Sequence, residues 1–178
     1  MTSALSKSKV RYSNKFIVEP VLETINYTES VYPICLSDED VDEAAYGHIA
    51  GWGITKENGF QSQQLLEAVL PVYDRSECNK RYGGLVTDNQ FCAGYENGGV
   101  DACKGDSGGP FVVVDGNRPK IAGIVSWGRG CARKGTPSVY TKISPYVGWI
   151  NWAIDKMNGA TPCRDPKVCM NERALIMH

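Results

Sequence analysis

The chain has 178 residues, a mass of 19.5 kDa, 19 basic against 20 acidic side chains and 42% hydrophobic residues. A near-neutral balance carries no footprint for a nucleic-acid backbone, and this much apolar content excludes a disordered tail. The longest apolar runs, such as 121–125, fall far short of the ~20 residues that cross a bilayer. A soluble globular chain is expected, long enough to bury a substantial core. Seven cysteines suggest an oxidising compartment, yet residues 1–11 contain no apolar core of a secretory signal. Reduced intracellular thiols or a missing upstream segment would each resolve that conflict. The odd count leaves at least one thiol without a partner inside the chain.

In chain order, residues 1–21 are polar and then briefly apolar at Phe16, Ile17 and Val18 before Pro20, and they form no persuasive element. Asn26-Tyr27-Thr28 is an N-glycosylation sequon, meaningful only in an exported chain. Val31 to Leu36 reads as a short strand, and Ser37 to Glu43 as a solvated acidic loop. Short apolar runs follow at Ile49–Trp52, Leu65–Val72, Phe111–Val114, Ile121–Trp127 and Val139–Ile143, separated by glycine-rich segments. Many short strands so punctuated predict an all-β barrel or sandwich. Two helices interrupt the pattern. Asp74 and Glu77 form a capping box for one that runs through Arg81. Ser144 as N-cap and Pro145 in the first turn open the other, whose Val147, Ile150 and Ile154 recur at helical spacing, flanked by Trp149 and Trp152. Its apolar face is expected to pack on the β-core. Residues 159–178 read as an appended tail whose Cys163 and Cys169 are close enough to pair.

The densest chemical signal is Asp101-Ala-Cys-Lys-Gly-Asp-Ser-Gly-Gly-Pro110. Flanking glycines leave a serine hydroxyl unhindered and let successive N–H groups converge on an anion. Acyl transfer needs that arrangement, with Ser107 as nucleophile and the N–H groups of Gly105 and Ser107 holding the oxyanion. By itself, such a Gly-Ser-Gly string reads equally well as an ordinary turn.

The string is not isolated. Phe91-Cys-Ala-Gly-Tyr95 precedes it, Ser126-Trp-Gly128 and Val139-Tyr-Thr-Lys142 follow it, and Tyr32-Pro-Ile-Cys-Leu36 and Ala50-Gly-Trp-Gly53 stand upstream in order. Together these motifs resemble the trypsin-like serine proteases of the chymotrypsin fold, from about Leu22 to Asp155. The resemblance implies most of the second six-stranded β-barrel of that fold with its C-terminal helix, spanning residues 22–157 between a divergent segment 1–21 and a tail 158–178. It also implies that Cys78 pairs with Cys92 and Cys103 with Cys131. Cys35 stands where two-chain members bridge to an upstream light chain or prodomain. Another family bridge is absent as a pair, with Gly47 and Val113 at its positions.

The same resemblance places Asp101 at the base of the specificity pocket, where a desolvated carboxylate complements a substrate Arg or Lys, with Ser126, Trp127, Gly128 and Gly130 along its walls. Ser138 departs from the family's usual glycine and should intrude on the slot. Neither the histidine nor the aspartate motif of the family's first barrel occurs, and Lys15 stands at the expected aspartate position. The remaining histidines, His48 and His178, read as an ordinary strand residue and a tail residue. In the family, a new N-terminus beginning with Ile or Val donates its ammonium to the aspartate before the nucleophile. Here Asp106 would lack that cation. Arg129, Arg133 and Lys134 read as a solvated basic loop beside the pocket.

The expectation is therefore a portion of a secreted, trypsin-like serine endopeptidase that cleaves after Arg or Lys, inactive in the present chain for want of the triad His and Asp. The rival reading is a non-catalytic homologue that uses the retained pocket as a binding or regulatory module. Neither reading calls for a metal or cofactor, nucleic acid or a membrane; the partners are a protein or peptide substrate and the chain joined through Cys35.

Overall fold

The computed structural model describes residues 10–12, 16–20, 25–116, 118–158 and 175–177. The chain divides into two compact units, residues 1–35 with 146–178, and residues 36–145. The elements run β1 (Val10–Tyr12), β2 (Phe16–Pro20), β3 (Cys35–Leu36), β4 (Tyr46–Gly51), β5 (Leu66–Pro71) and α1 (Arg75–Arg81). They continue through β6 (Gln90–Ala93), β7 (Pro110–Asp115), β8 (Arg118–Trp127), β9 (Ser138–Lys142), α2 (Val147–Asn158) and β10 (Leu175–Met177).

In the first unit β2 lies between β1 and β10, antiparallel to both, with Val10 opposite Val18 and Leu175 opposite Pro20. Segments read from sequence as featureless thus hold strands. The three-residue β1 and β10 are too short to show a period of two and β2 opens on an unbroken apolar run, so their pairing only becomes visible once the partners meet. Helix α2 buries Ile150 and Ala153 and leaves Trp152 half exposed, as the helical spacing of its apolar residues requires. Its start differs from expectation. A 3-10 turn over Ser144–Tyr146 precedes it, and the Ser144 hydroxyl is drawn to Asp40 Oδ1 at 2.5 Å.

The second unit is an antiparallel sheet in which six strands run in the order β5-β4-β7-β8-β9-β6. Its two edges come together. Val72 bridges Ala93, Tyr73 N–H donates to Cys92 O at 2.8 Å, and Gly94 N–H donates to Pro71 O at 3.0 Å. The closed path is the β-barrel expected from the spacing of apolar runs, since closure satisfies edge donors that would otherwise stay unpaired. Strand β6, the one not read as a strand, is short and buried at every position, so it lacks the alternation that marks a half-exposed strand. The predicted strand 31–36 shrinks to Cys35–Leu36, because Pro33 offers no N–H to a ladder.

Inside the barrel Phe91, Phe111 and Tyr140 form an aromatic cluster, with ring centroids 4.9–5.3 Å apart. Gly47 and Gly123 lie against it, where any Cβ would collide with the rings of Phe111 and Phe91. Each ring contributes roughly 1.5–3 kcal/mol by burial. The acidic loop is less solvated than predicted. Asp40 binds Lys142 at 2.7 Å as well as Ser144, and these partners hold its carboxyl below the usual carboxylate range. Glu43 accepts the N–H of Arg75 at 3.0 Å.

Candidate active site

Helix α1 positions one wall of the site. Asp74 caps it by accepting the Glu77 N–H at 2.8 Å, worth ~1 kcal/mol. The reciprocal half of the predicted capping box is missing, because Glu77 instead binds Lys80 at 2.7 Å. The helix carries Cys78, bridged to Cys92 on β6, and ends at Tyr82, which is buried. Tyr82 donates to Pro137 O at 2.5 Å and meets Trp127 edge-on at 4.8 Å between centroids. The Trp127 wall is thereby braced from behind.

The Cys103–Cys131 bridge joins the segment before Ser107 to the segment after Trp127. A cavity of about 470 Å³ opens beside it and is lined by Ser107, Ser126, Trp127, Gly128, Gly130 and Ser138, together with Lys104, Glu57 and Arg133. The structure thus brings six predicted site residues onto one surface. Gly105 is outside that wall, but its φ of +101° is the turn that reverses the chain ahead of Ser107, a conformation that favours glycine. Along this loop Asp106, Gly108 and Gly109 spend their N–H groups on Cys103 O, Val125 O and Asp106 O at 2.9–3.0 Å. The N–H groups of Gly105 and Ser107 form no hydrogen bond among the described residues.

Asp101 is elsewhere. It lines a second cavity of about 220 Å³ with Asp106, Gly51, Gly53 and Lys56. Its Oδ1 accepts the Ala102 N–H at 2.8 Å and its Oδ2 the Ala132 N–H at 3.0 Å. Burial pushes its carboxyl up against the downward pull of the nearby Ser138 hydroxyl and the two backbone amides. Asp106 is satisfied by backbone as well, accepting from Gly53 N–H at 2.8 Å and Cys103 N–H at 2.9 Å. Only glycine fits opposite it, since a Cβ on Gly51 or Gly53 would stand 2.0–2.4 Å from its oxygens.

His48 is not brought to Ser107. It lies on β4, outside the cavity that Ser107 lines, with Nδ1 2.6 Å from Glu67 Oε1 and both side chains exposed. Lys15, His178, Cys163 and Cys169 lie outside the described residues. Cys35 is half-buried and unbridged among the described residues, and Asn26 is exposed.

The basic loop is less free than its sequence suggested. The Arg129 guanidinium stands 5.1 Å from the Tyr82 ring centroid. Arg133 clasps Glu57 through Nε at 2.7 Å and Nη2 at 2.8 Å, and Cys131 N–H donates to the same carboxylate at 2.8 Å. The Arg133 guanidinium, ahead of that N–H, holds the Glu57 carboxyl down to about 2. Sequence reading missed Glu57 and Tyr82. No local signal marks either, because each acts across more than 50 residues of chain.

Comparison with known proteins agrees with this geometry. The trypsin family model, described as "Trypsin", matches residues 7–150. Trypsin II-P29 of Gallus gallus is 39% identical over 148 residues, which are 83% of this chain and 58% of that protein. The chain therefore spans less than two thirds of the length of the relative it matches. Barrel, bridges, serine loop and sequence agree: the chain belongs to the trypsin family of serine proteases and has its chymotrypsin-like β-barrel.

Proposed function

We propose that residues 22–157 are the nucleophile-bearing barrel of a secreted endopeptidase that cleaves protein substrates after Arg or Lys, flanked by a divergent segment 1–21 and a cysteine-bearing tail 158–178. The observation that carries this reading is Ser107 on the wall of the 470 Å³ cavity with Ser126, Trp127, Gly128, Gly130 and Ser138. In the complete enzyme Ser107 Oγ attacks the scissile carbonyl carbon and passes its proton to an imidazole held by a carboxylate, both supplied by the first barrel. The N–H groups of Gly105 and Ser107 take the negative charge that develops on the carbonyl oxygen. The leaving amine receives the proton, and water then hydrolyses the acyl-serine. Asp101 supplies the negative charge that favours a basic side chain, and Cys35 joins the chain to a partner upstream.

Asp106 marks the resting form. Its carboxylate is held by the Gly53 and Cys103 amides in a cavity that also contains Asp101. A new amino terminus would bind there by replacing those donors with an ammonium, which is the activation step the family resemblance implies. For the 178-residue chain alone we expect no proteolysis, because an unassisted serine hydroxyl is a weak nucleophile.

The test is reaction with a fluorophosphonate probe. A chain joined in frame to a barrel bearing His and Asp should label at Ser107 and cleave a Lys or Arg peptide, and Ser107→Ala should abolish both. Turnover by the 178-residue chain itself, lost in Ser107→Ala, would overturn the expected inactivity. The placement of His48 outside the Ser107 cavity favours a second reading, a non-catalytic homologue that binds through the same pocket. Encoded sequence upstream of Met1 separates the two: an in-frame first-barrel histidine motif supports the peptidase, and a verified start at Met1 supports the homologue.

A further inference from the structure

The chain contains one Asn-X-Ser/Thr pattern with X other than proline, Asn26-Tyr27-Thr28, and the chemistry at Ser107 makes no use of it. In the folded chain residues 26–32 are all exposed. A turn closes just after the asparagine, with Thr28 N–H donating to Val31 O at 2.8 Å and Val31 N–H donating to Thr28 O at 3.3 Å. The Thr28 hydroxyl belongs to that turn. Its Oγ1 accepts the Ser30 N–H at 3.3 Å, the local side-chain bond that suits threonine to turns. Asn26 takes no part, and its side chain makes no hydrogen bond among the described residues.

The same segment has a second property. Tyr27, Val31 and Tyr32 are large apolar side chains left 40%, 48% and 64% exposed. Single exposed apolar residues are ordinary, whereas three grouped on one short exposed segment leave surface that a soluble chain gains by covering. An exposed asparagine without a structural duty, followed at the second position by a hydroxyl, can carry an oligosaccharide and leave the turn beside it intact.

We infer that Asn26 carries an N-linked oligosaccharide that covers the segment from Tyr27 to Tyr32. This rests on the reading of the chain as exported, because the sugar donor, a lipid-pyrophosphate-linked oligosaccharide, is met on the export route. In the transfer Asn26 Nδ2 bonds to the anomeric carbon of the sugar, and the bond from that carbon to the pyrophosphate oxygen breaks. The lipid pyrophosphate leaves with the electron pair, and the amide nitrogen gives one proton to a base of the transferring enzyme. Nothing is oxidised or reduced.

Expression of the full 178-residue chain behind a cleavable secretory signal in insect cells, read in medium and lysate together, tests the site. The product should shift down in one step on treatment with a peptide-N-glycosidase, and mass spectrometry should find the deamidation that this enzyme leaves at Asn26. Asn26→Gln and Thr28→Ala should each abolish the shift. Thr28→Ser keeps a hydroxyl and should retain it. Chymotrypsin cleavage after Tyr27 and Tyr32, measured relative to cleavage after the exposed Phe60, should be several-fold faster in Asn26→Gln than in the glycosylated chain.

A product whose secretory signal has been removed but which shows no glycosidase shift overturns the inference and leaves the export reading standing. A shift with equal chymotrypsin rates in the two forms overturns the covering of Tyr27 and Tyr32. Export itself is tested on the protein made by its own cells: detection in the medium by antibody supports that reading, and confinement to the cytosol overturns it and takes the inference with it.

Discussion

Two cavities share Cys103, Cys131, Val125 and Ile54 in their walls, and they are furnished in opposite ways. On one side stands Ser107, with its own N–H and that of Gly105 unengaged among the described residues. On the other stand Asp101 and Asp106, each held by two backbone N–H groups at 2.8–3.0 Å. One disulfide thus separates a region with donors to spare from a region whose charges are already met. Donors kept unengaged suit a charge that appears only during a reaction. Carboxylate oxygens met by backbone amides already have their hydrogen bonds. The difference teaches that a side with unengaged donors can be built in advance, while the acidic side must exchange partners to change state.

The largest expected effect lies beneath both cavities. Phe111 is fully buried and touches Phe91 and Tyr140, so Phe111→Ala should cost about 3–5 kcal/mol, read as a lower urea midpoint. A loss below about 1 kcal/mol would mean that the aromatic cluster does not support this region. Replacing both Cys103 and Cys131 with alanine opens a loop with a sequence separation of 28. The expected cost is about 3 kcal/mol, and it should disappear when the parent and the variant are compared under reducing conditions.

Asp106→Asn breaks the comparison from the acidic side alone. One of the two oxygens that accept from Gly53 and Cys103 becomes an NH2 group, leaving a donor facing a donor, at about 1–3 kcal/mol. Amide exchange should quicken at the unpaired position and stay unchanged at Gly108, whose N–H is bound to Val125 O. Equal acceleration at both would show that the two sides are one unit.

The smallest effect belongs to the Glu57 clasp on the Ser107 side. A carboxyl depressed in the fold contributes stability above its ordinary value, and that contribution is lost as pH falls through the folded value. The Glu57 contact should therefore loosen between pH 4.5 and about 2. Protection of the Cys131 amide is the readout, since that N–H donates to Glu57. Glu57→Gln should weaken the protection at neutral pH and remove its dependence on acid. High salt should weaken the clasp too, because Arg133 is largely exposed.

Much was legible in the sequence where the chemistry is local. The strands with clear alternation, the α1 cap at Asp74, the serine loop and both bridges stand where the motifs implied. The short strands β1 and β10 were not legible, because a three-residue run has no period to read, and β2 opens on the unbroken apolar run Phe16-Ile17-Val18 rather than on an alternation. Nor was the fate of Ser144, whose hydroxyl could cap a helix or bind a distant acid and does the latter.

Left to itself, the sequence determined the family resemblance and the serine loop, because these depend on residue type at fixed short spacing, and the resemblance in turn implied the pairs Cys78–Cys92 and Cys103–Cys131. Tertiary structure alone decided that Ser138, not Asp101, lines the Ser107 cavity, that Glu57 and Arg133 meet across 76 residues, and that backbone amides hold Asp106. Those outcomes depend on which donors folding brings within 3 Å of each carboxylate, and a linear order of residues does not specify such distances.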